Sequence, residues 1–165
     1  GRVVRTGRAS HPDGTEVDEW EYFRASQTTT VDVYLQAADI GNGCDQVVAV
    51  PRSASGVDTP TDAMTQLVAG PTAAEEAQGL HSWFSAGTAG MLRSVSVEGD
   101  VARVDFDPAL SSAIPNASTS CGSALLLAQL DATIGQFDGV DRAVYSLGGD
   151  VDAFYGWLQM VSPAP

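Results

Sequence analysis

The sequence predicts an α/β (α+β) two-layer sandwich, a mixed sheet of about five strands under two main helices in the order β-β-α-β-β-α-β. Three observations predict it. Apolar and polar residues alternate over 29–38 and again over 91–107, the period of strands with one buried face. Residues 57–70 and 121–137 carry helix-end signals and a single apolar stripe. The strands alternate rather than run apolar throughout, so one face of the sheet stays wet.

The first strand is "TTVDVYLQAA", with Val31, Val33 and Leu35 on one face. "DIGNGCD" is a Gly/Asn loop carrying Cys44, and "QVVAVPRSAS" is a second strand that ends near Pro51 or continues past it as an edge. "VDTPTDAMTQLVAG" reads as a helix with Thr59 or Thr61 as N-cap, Pro60 in the first turn, Gly70 at a left-handed C-cap and Pro71 blocking continuation. "TAAEEAQGL" restarts as a short helix with a Thr72-x-x-Glu75 capping box and stops at Gly79.

"MLRSVSVEGDVARVDFD" is a hairpin around a Glu-Gly-Asp turn, with Val95 and Val97 on one face of its first arm and Ala102, Val104 and Phe106 on one face of its second. "PALSSAIPNASTS" reads as a loop of small residues. The helix Cys121–Phe137 aligns Leu126, Leu130, Ile134 and Phe137. "VDRAVYSL" is a last strand, followed by a Gly148-Gly149 turn and an aromatic end, "DAFYGW". The organisation is an N-terminal segment (1–29), one domain (30–160) and a short tail (161–165).

The chain has 165 residues and a net charge of −13 from 21 acidic and 8 basic side chains, which argues against nucleic acid and anionic membrane as partners. All eight basic residues are arginine, a composition that GC-rich coding produces; an acid-rich halophile surface is the competing explanation. Nowhere do enough apolar residues run together to span a membrane. The first residues, "GRVVRTGRASHPDG", lack the apolar core of a signal peptide, so an export signal is expected to lie outside this sequence.

Cys121 sits where a helix begins, an address that stabilises a thiolate. A nucleophile there would need a histidine, and neither His11, in the polar tail, nor His81, after a helix stop, forms a local Cys-His signature with it. With an even count, and each cysteine beside a glycine at an element end, the favoured reading is a Cys44–Cys121 disulfide, with unpaired core thiols as the alternative. If the first strand lies beneath the second main helix, the two cysteines share one edge of the sandwich.

No other constellation converges. Asp105 and Asp107 share a strand face and lack further metal ligands at suitable spacing; the acids of "DGVDR" and "GGDVD" are turn chemistry, and no metal or cofactor site is expected. The glycines form no phosphate loop, the serines no nucleophile elbow, and "NAS" at 116–118 is read as a chance glycosylation sequon. Trp20, Tyr22 and Phe23 cluster near the N-terminus, and Phe154, Tyr155 and Trp157 near the C-terminus. They either pack on the body or form a binding patch.

The run "VDVYLQ…VVAVPRSAS…AMTQLVAGPTAAEEAQGL…SVSVEGDVARVDFDPAL…LLLAQLDATIGQFDGVDRAVYSLGGD" resembles the GerMN domain, the sporulation and spore-germination module, over about residues 30–151. "LVAGPTAAEEAQGL" is its most specific piece. The resemblance implies extracytoplasmic placement, often as a lipoprotein, and a role in protein assembly at the cell envelope rather than catalysis. In sporulating relatives the module supports a complex between two membranes; in actinobacteria similar modules sit in envelope lipoproteins, some beside sensor kinases. The chain departs from the pattern in its cysteine pair, its aromatic N-terminal segment and its "DAFYGWLQMVSPAP" ending. The family pattern supplies no catalytic residues.

The expectation is therefore a non-enzymatic, exported binding module with another envelope protein as partner, through a sheet edge or the aromatic patch. A small-molecule or glycan binder using a pocket lined by those aromatics is the second reading. A cell-wall hydrolase, which needs a carboxylate pair in a cleft, is the third.

Overall fold

A computed structural model describes residues 8–10, 16–18, 29–38 and 43–165. The expected strands form, but they divide into two three-stranded sheets instead of one sheet of about five. In the first, β3 (Thr29–Ala37) pairs antiparallel with β4 (Val48–Ala54) along its length and with β5 (Leu80–His81) only at Gln36 and Ala37. In the second, β6 (Leu92–Glu98) and β7 (Val101–Phe106) form the expected hairpin, and β8 (Arg142–Leu147) joins β7 in parallel. A small antiparallel hairpin pairs β1 (Arg8–Ser10) with β2 (Glu16–Asp18).

The β6–β7 turn shows how local sequence sets the pairing. Gly99 has φ +64° while Asp100 is not at positive φ, and Glu98 and Val101 close a two-residue loop. Glycine at the first central position suits the type II′ turn that matches strand twist.

Among the described residues five helices pack with the strands: α1 (Thr59–Val68), α2 (Ala73–Ala77), α3 (Leu110–Ala113), α4 (Ser120–Gly135) and α5 (Val151–Trp157), with a 3₁₀ turn at Pro115–Ser118. Asp58, not Thr59 or Thr61, caps α1, accepting from Thr61 N; the Thr72–Glu75 capping box forms on α2. Thr119 caps α4, one residue ahead of the expected start. The stretch read as a loop, 108–120, winds into α3 and the 3₁₀ turn. Its small residues allow close approach: a Cβ on Gly122 would lie 2.4 Å from Asn116 O. The aromatic end is also helical, because Asp150 accepts from Ala153 N and starts α5 directly after the glycine turn.

One core runs through both sheets and the helices between them. Val33 and Leu35 of β3, Met64, Leu67 and Val68 of α1, Val104 and Phe106 of β7, and Leu126, Leu130 and Ile134 of α4 are its centre. The expected faces of β3, β7 and α4 thus point inward, with Phe137 packed half-buried at the margin.

The division into two sheets has a specific cause. In an antiparallel pair, alternate residues aim their backbone groups away from the neighbour. On β3 these are Asp32 and Tyr34, and α4 meets them with side chains. Gln136 Oε1 accepts from Asp32 N (2.8 Å), and its Nε2 donates to Asp32 O (2.7 Å). Thr133 Oγ1 accepts from Tyr34 N, and Gln129 Nε2 donates to Tyr34 O. A helix face thus occupies most of the place a neighbouring strand would take. It also accounts for Gln129 and Thr133 being fully buried polar residues.

The "LVAGPTAAEE" stretch is a second junction. Gly70 has φ +81°, and a Cβ there would lie 2.5 Å from Ser85 Cα and 2.7 Å from Phe84 O, so only glycine fits. The end of α1 leaves carbonyls without helical partners. Arg52 of β4 donates to Gln66 O and Gly70 O, and Thr88 Oγ1 donates to Val68 O. The same Arg52 guanidinium takes both carboxylate oxygens of Glu75.

Candidate functional site

The surface most open to a partner is the second sheet. β6 is an edge strand, and five of its seven side chains, Arg93, Ser94, Ser96, Val97 and Glu98, are exposed, Val97 at 42%, while Leu92 and Val95 pack at the core margin. By the alternation set at the Glu98–Val101 turn, the backbone groups of Val95 and Val97 point out from the edge. A bulge at Arg93, between Leu92 and Ser94, is its one irregularity.

The face of this sheet opposite the core carries Ser94, Ser96, Arg103, Asp105, Arg142, Val144 and Ser146, brought side by side by the β6–β7 and β7–β8 registers. From residue 29 on, the chain has four arginines: Arg52 is buried in its ion pair, and Arg93, Arg103 and Arg142 gather here. Asp105 is the polar centre, accepting from Ser146 Oγ and Gly149 N (both 2.7 Å) and facing Arg93 at 3.6 Å. Beside it lies an open cleft of about 570 Å³ between Arg103, Arg142 and Val144 on the sheet and Ser162–Pro165.

At the opposite end of α4, Cys44 and Cys121 are bridged, with Cα atoms 5.0 Å apart, so both sulfurs are consumed. An open pocket of about 360 Å³ lies against the bridge, lined by Gln36, Trp83, Thr119 and Leu125. Trp83, which the sequence reading did not single out, is fixed there by its Nε1 donating to Gly122 O.

Of the aromatic candidates, the structure describes Phe154, Tyr155 and Trp157. Trp20, Tyr22 and Phe23 lie outside the described residues. Phe154 is 0% and Tyr155 7% exposed: α5 turns both into the core, where Phe154 stacks with Phe106 and packs against Tyr145. Trp157 is half-buried, edge-on to Phe154 at 5.8 Å, and its indole N–H has no partner among the described residues. Of the two readings open for Phe154 and Tyr155, packing on the body or a binding patch, their burial on α5 fits the first.

Several of the acids are spent on structure. Asp58 and Asp150 cap helices, Asp62 holds Ser55, Asp107 accepts from Ala109 N, and Asp131 accepts from the buried Tyr145 hydroxyl. Partial burial pushes the Asp131 carboxyl up from its ordinary value despite that hydrogen bond; burial and the nearby Asp131 charge push the Tyr145 hydroxyl up strongly. Among the described residues no three His, Cys, Asp or Glu side chains form a metal-ligating group, and no helix is long and apolar enough to cross a membrane.

The profile of the Germane family, described as sporulation and spore germination, matches residues 22–150. Among solved structures, the tandem GerMN domains of the sporulation protein GerM from Bacillus subtilis align with a TM-score of 0.52 at 18% identity. The alignment covers 76% of this chain and 40% of that one; at this identity the likeness establishes the fold. No curated protein sequence matches the chain.

Proposed function

The chain belongs to the Germane family of sporulation and spore germination domains, and from that premise we propose that it is a non-enzymatic, extracytoplasmic module that joins a protein assembly at the cell envelope. The observation that carries this reading is the β6 edge, a seven-residue strand hydrogen-bonded on one side only. Such an edge accepts an extended segment by strand addition, with main-chain hydrogen bonds giving affinity and alternate side chains giving selectivity. The disulfide supports export, since such bonds persist in oxidising compartments. The net charge of −13 favours a partner with a basic surface.

A photo-crosslinking side chain placed at Ser96, in cells that produce the protein, tests the idea. The expected result is one dominant adduct with another envelope protein, lost when Val97→Pro removes an outward N–H without breaking the ladder to β7. Absence of any protein adduct from Ser96, with the variant folded and exported, removes the reading.

One observation favours a small-molecule or glycan binder: the pocket beside Trp83 has an aromatic ring, polar flanks and, among the described residues, no charged lining residue. Titration with neutral cell-wall glycan fragments, read by tryptophan fluorescence against a Trp83→Phe variant, checks it. An unchanged signal at millimolar fragment rejects it.

A further inference from the structure

We propose that the outer face of β7 and β8 is a groove for an extended serine- and proline-bearing segment of a partner protein, a groove the chain's own Ser162–Pro165 occupies in the free protein. This deepens the binding-module reading and rests on it.

Residues 160–165 have no regular secondary structure, yet they are held. Val161 is 93% exposed, but the next two residues are half-buried, and Val144, which points to the outer face, is only 8% exposed. Ser162 Oγ donates to Asp152 Oδ1, and Arg142 Nη1 donates to Ala164 O (3.4 Å). Ser162 to Pro165 form one wall of the cleft, whose open volume of about 570 Å³ they leave unfilled.

The chemistry of the lining selects the occupant. An ordinary extended peptide brings as many N–H donors as carbonyl acceptors, and needs both kinds of partner. Proline has no N–H, so a proline-rich segment brings mostly carbonyls and keeps a preformed extended shape at little entropic cost. A surface that offers arginine donors, an apolar side chain and one carboxylate meets that composition. Arg142 already takes one carbonyl. Arg103, held over the same face by the exposed Glu98, is a second donor, since an exposed pair of this kind is cheap to open. Asp152 takes the serine hydroxyl; Asp150 is committed to capping α5.

Two polar contacts, one of them long, give the resident segment a weak hold, made effective by its tether. A longer partner segment reaching into the open part of the cleft displaces it.

The probe is a synthetic Val-Ser-Pro-Ala-Pro peptide blocked at both ends, titrated into the ¹⁵N-labelled 165-residue chain and followed at the amides of Val144, Gly148 and Gly149. With the resident segment disabled by Ser162→Ala, Pro163→Gly and Pro165→Gly, the peptide is expected to give saturable shifts at millimolar concentration, at least about tenfold stronger than with the unaltered chain. Adding Arg142→Ala to that background is expected to weaken binding at least about fivefold, the loss of one charged hydrogen bond. A peptide with alanine for both prolines should bind more weakly by a similar factor. The proposal is overturned if the disabled chain, with native amide dispersion, shows no saturable shifts at these sites, or binds the alanine peptide equally well. A chain that crosslinks through β6 but ignores the peptide sinks the groove alone. One that binds the peptide but gives no envelope adduct sinks the broader reading.

Discussion

Arg52 and Glu75 form a two-pronged ion pair, with side chains 11% and 12% exposed, whose guanidinium also holds the carbonyls of Gln66 and Gly70 at the end of α1. Burial alone would raise the Glu75 carboxyl, but the Arg52 hydrogen bonds and charge and the Thr72 N–H outweigh it and hold it below its ordinary value. Arg52→Ala leaves a carboxylate and two carbonyls short of partners, and an expected loss of about 3 kcal/mol follows. Arg52→Lys recovers only part, because an ammonium cannot match the planar fork. Urea unfolding at neutral pH measures both.

The pair also sets an acid limit. A carboxyl lowered by folding contributes stability that is complete above its unfolded value and lost as pH falls through its folded one. Stability of the native chain should therefore fall on acidification below the ordinary glutamate range, and Glu75→Gln should flatten that fall. Identical slopes for the two proteins would exclude Glu75 as a contributor.

Gly70→Ala meets two obstacles at once, a positive φ and backbone atoms of Ser85 and Phe84 within 3 Å of the new carbon. The expected cost is about 2–4 kcal/mol. Gly90→Ala serves as the control: φ is +86° but the space is open, so only the conformational part, about 1 kcal/mol, is expected. Thermal unfolding of the two variants side by side separates strain from collision.

Gln129→Leu keeps the volume of a fully buried side chain but removes the donor to Tyr34 O and leaves Ser82 Oγ with only Phe84 N–H. About 1–3 kcal/mol should be lost, the cost of an unsatisfied buried acceptor. The amide of Tyr34, bonded to Thr133, should also exchange faster with solvent deuterium. Unchanged exchange there would mean that the glutamine does not guard β3.

Reduction of Cys44–Cys121 opens a closure of 77 residues. The chain-entropy relation gives at most about 4–5 kcal/mol for it. The double Cys→Ser variant and the reduced native chain should lose stability alike, each within that ceiling, in chemical denaturation.

Strands were legible wherever one face is buried: Val33 and Leu35, and Ala102, Val104 and Phe106, alternate because each feeds the common core, and Val31 continues the β3 face into a small cluster with Ala54 and Ala63. Capping chemistry was legible too, as Thr72 and Glu75 show. What escaped were pairings made by polar side chains over long sequence distances. Gln129, Thr133 and Gln136 recur along one face of an otherwise apolar helix, a pattern that could have signalled a buried polar seam. Arg52, alone beside Pro51 in a strand, gave no hint of its target until α1 was in place. For Phe154 and Tyr155 the sequence leaves packing and surface exposure both open, because the inward turn of both rings depends on a seven-residue helix started by Asp150.

The side-chain closure of β3 bears on how many neighbours the chain can recruit. Asp32 spends its backbone groups on Gln136, so its register partner Pro51 exchanges no ladder bonds with it, and the nitrogen lacking a hydrogen faces outward from β4. Among the described residues, one flank of the first sheet is thus filled by a helix and another interrupted by an imino acid, while β6 keeps its donors and acceptors free. Strand addition is thereby steered toward the second sheet, whose end strands β6 and β8 each pair with a neighbour on one side only.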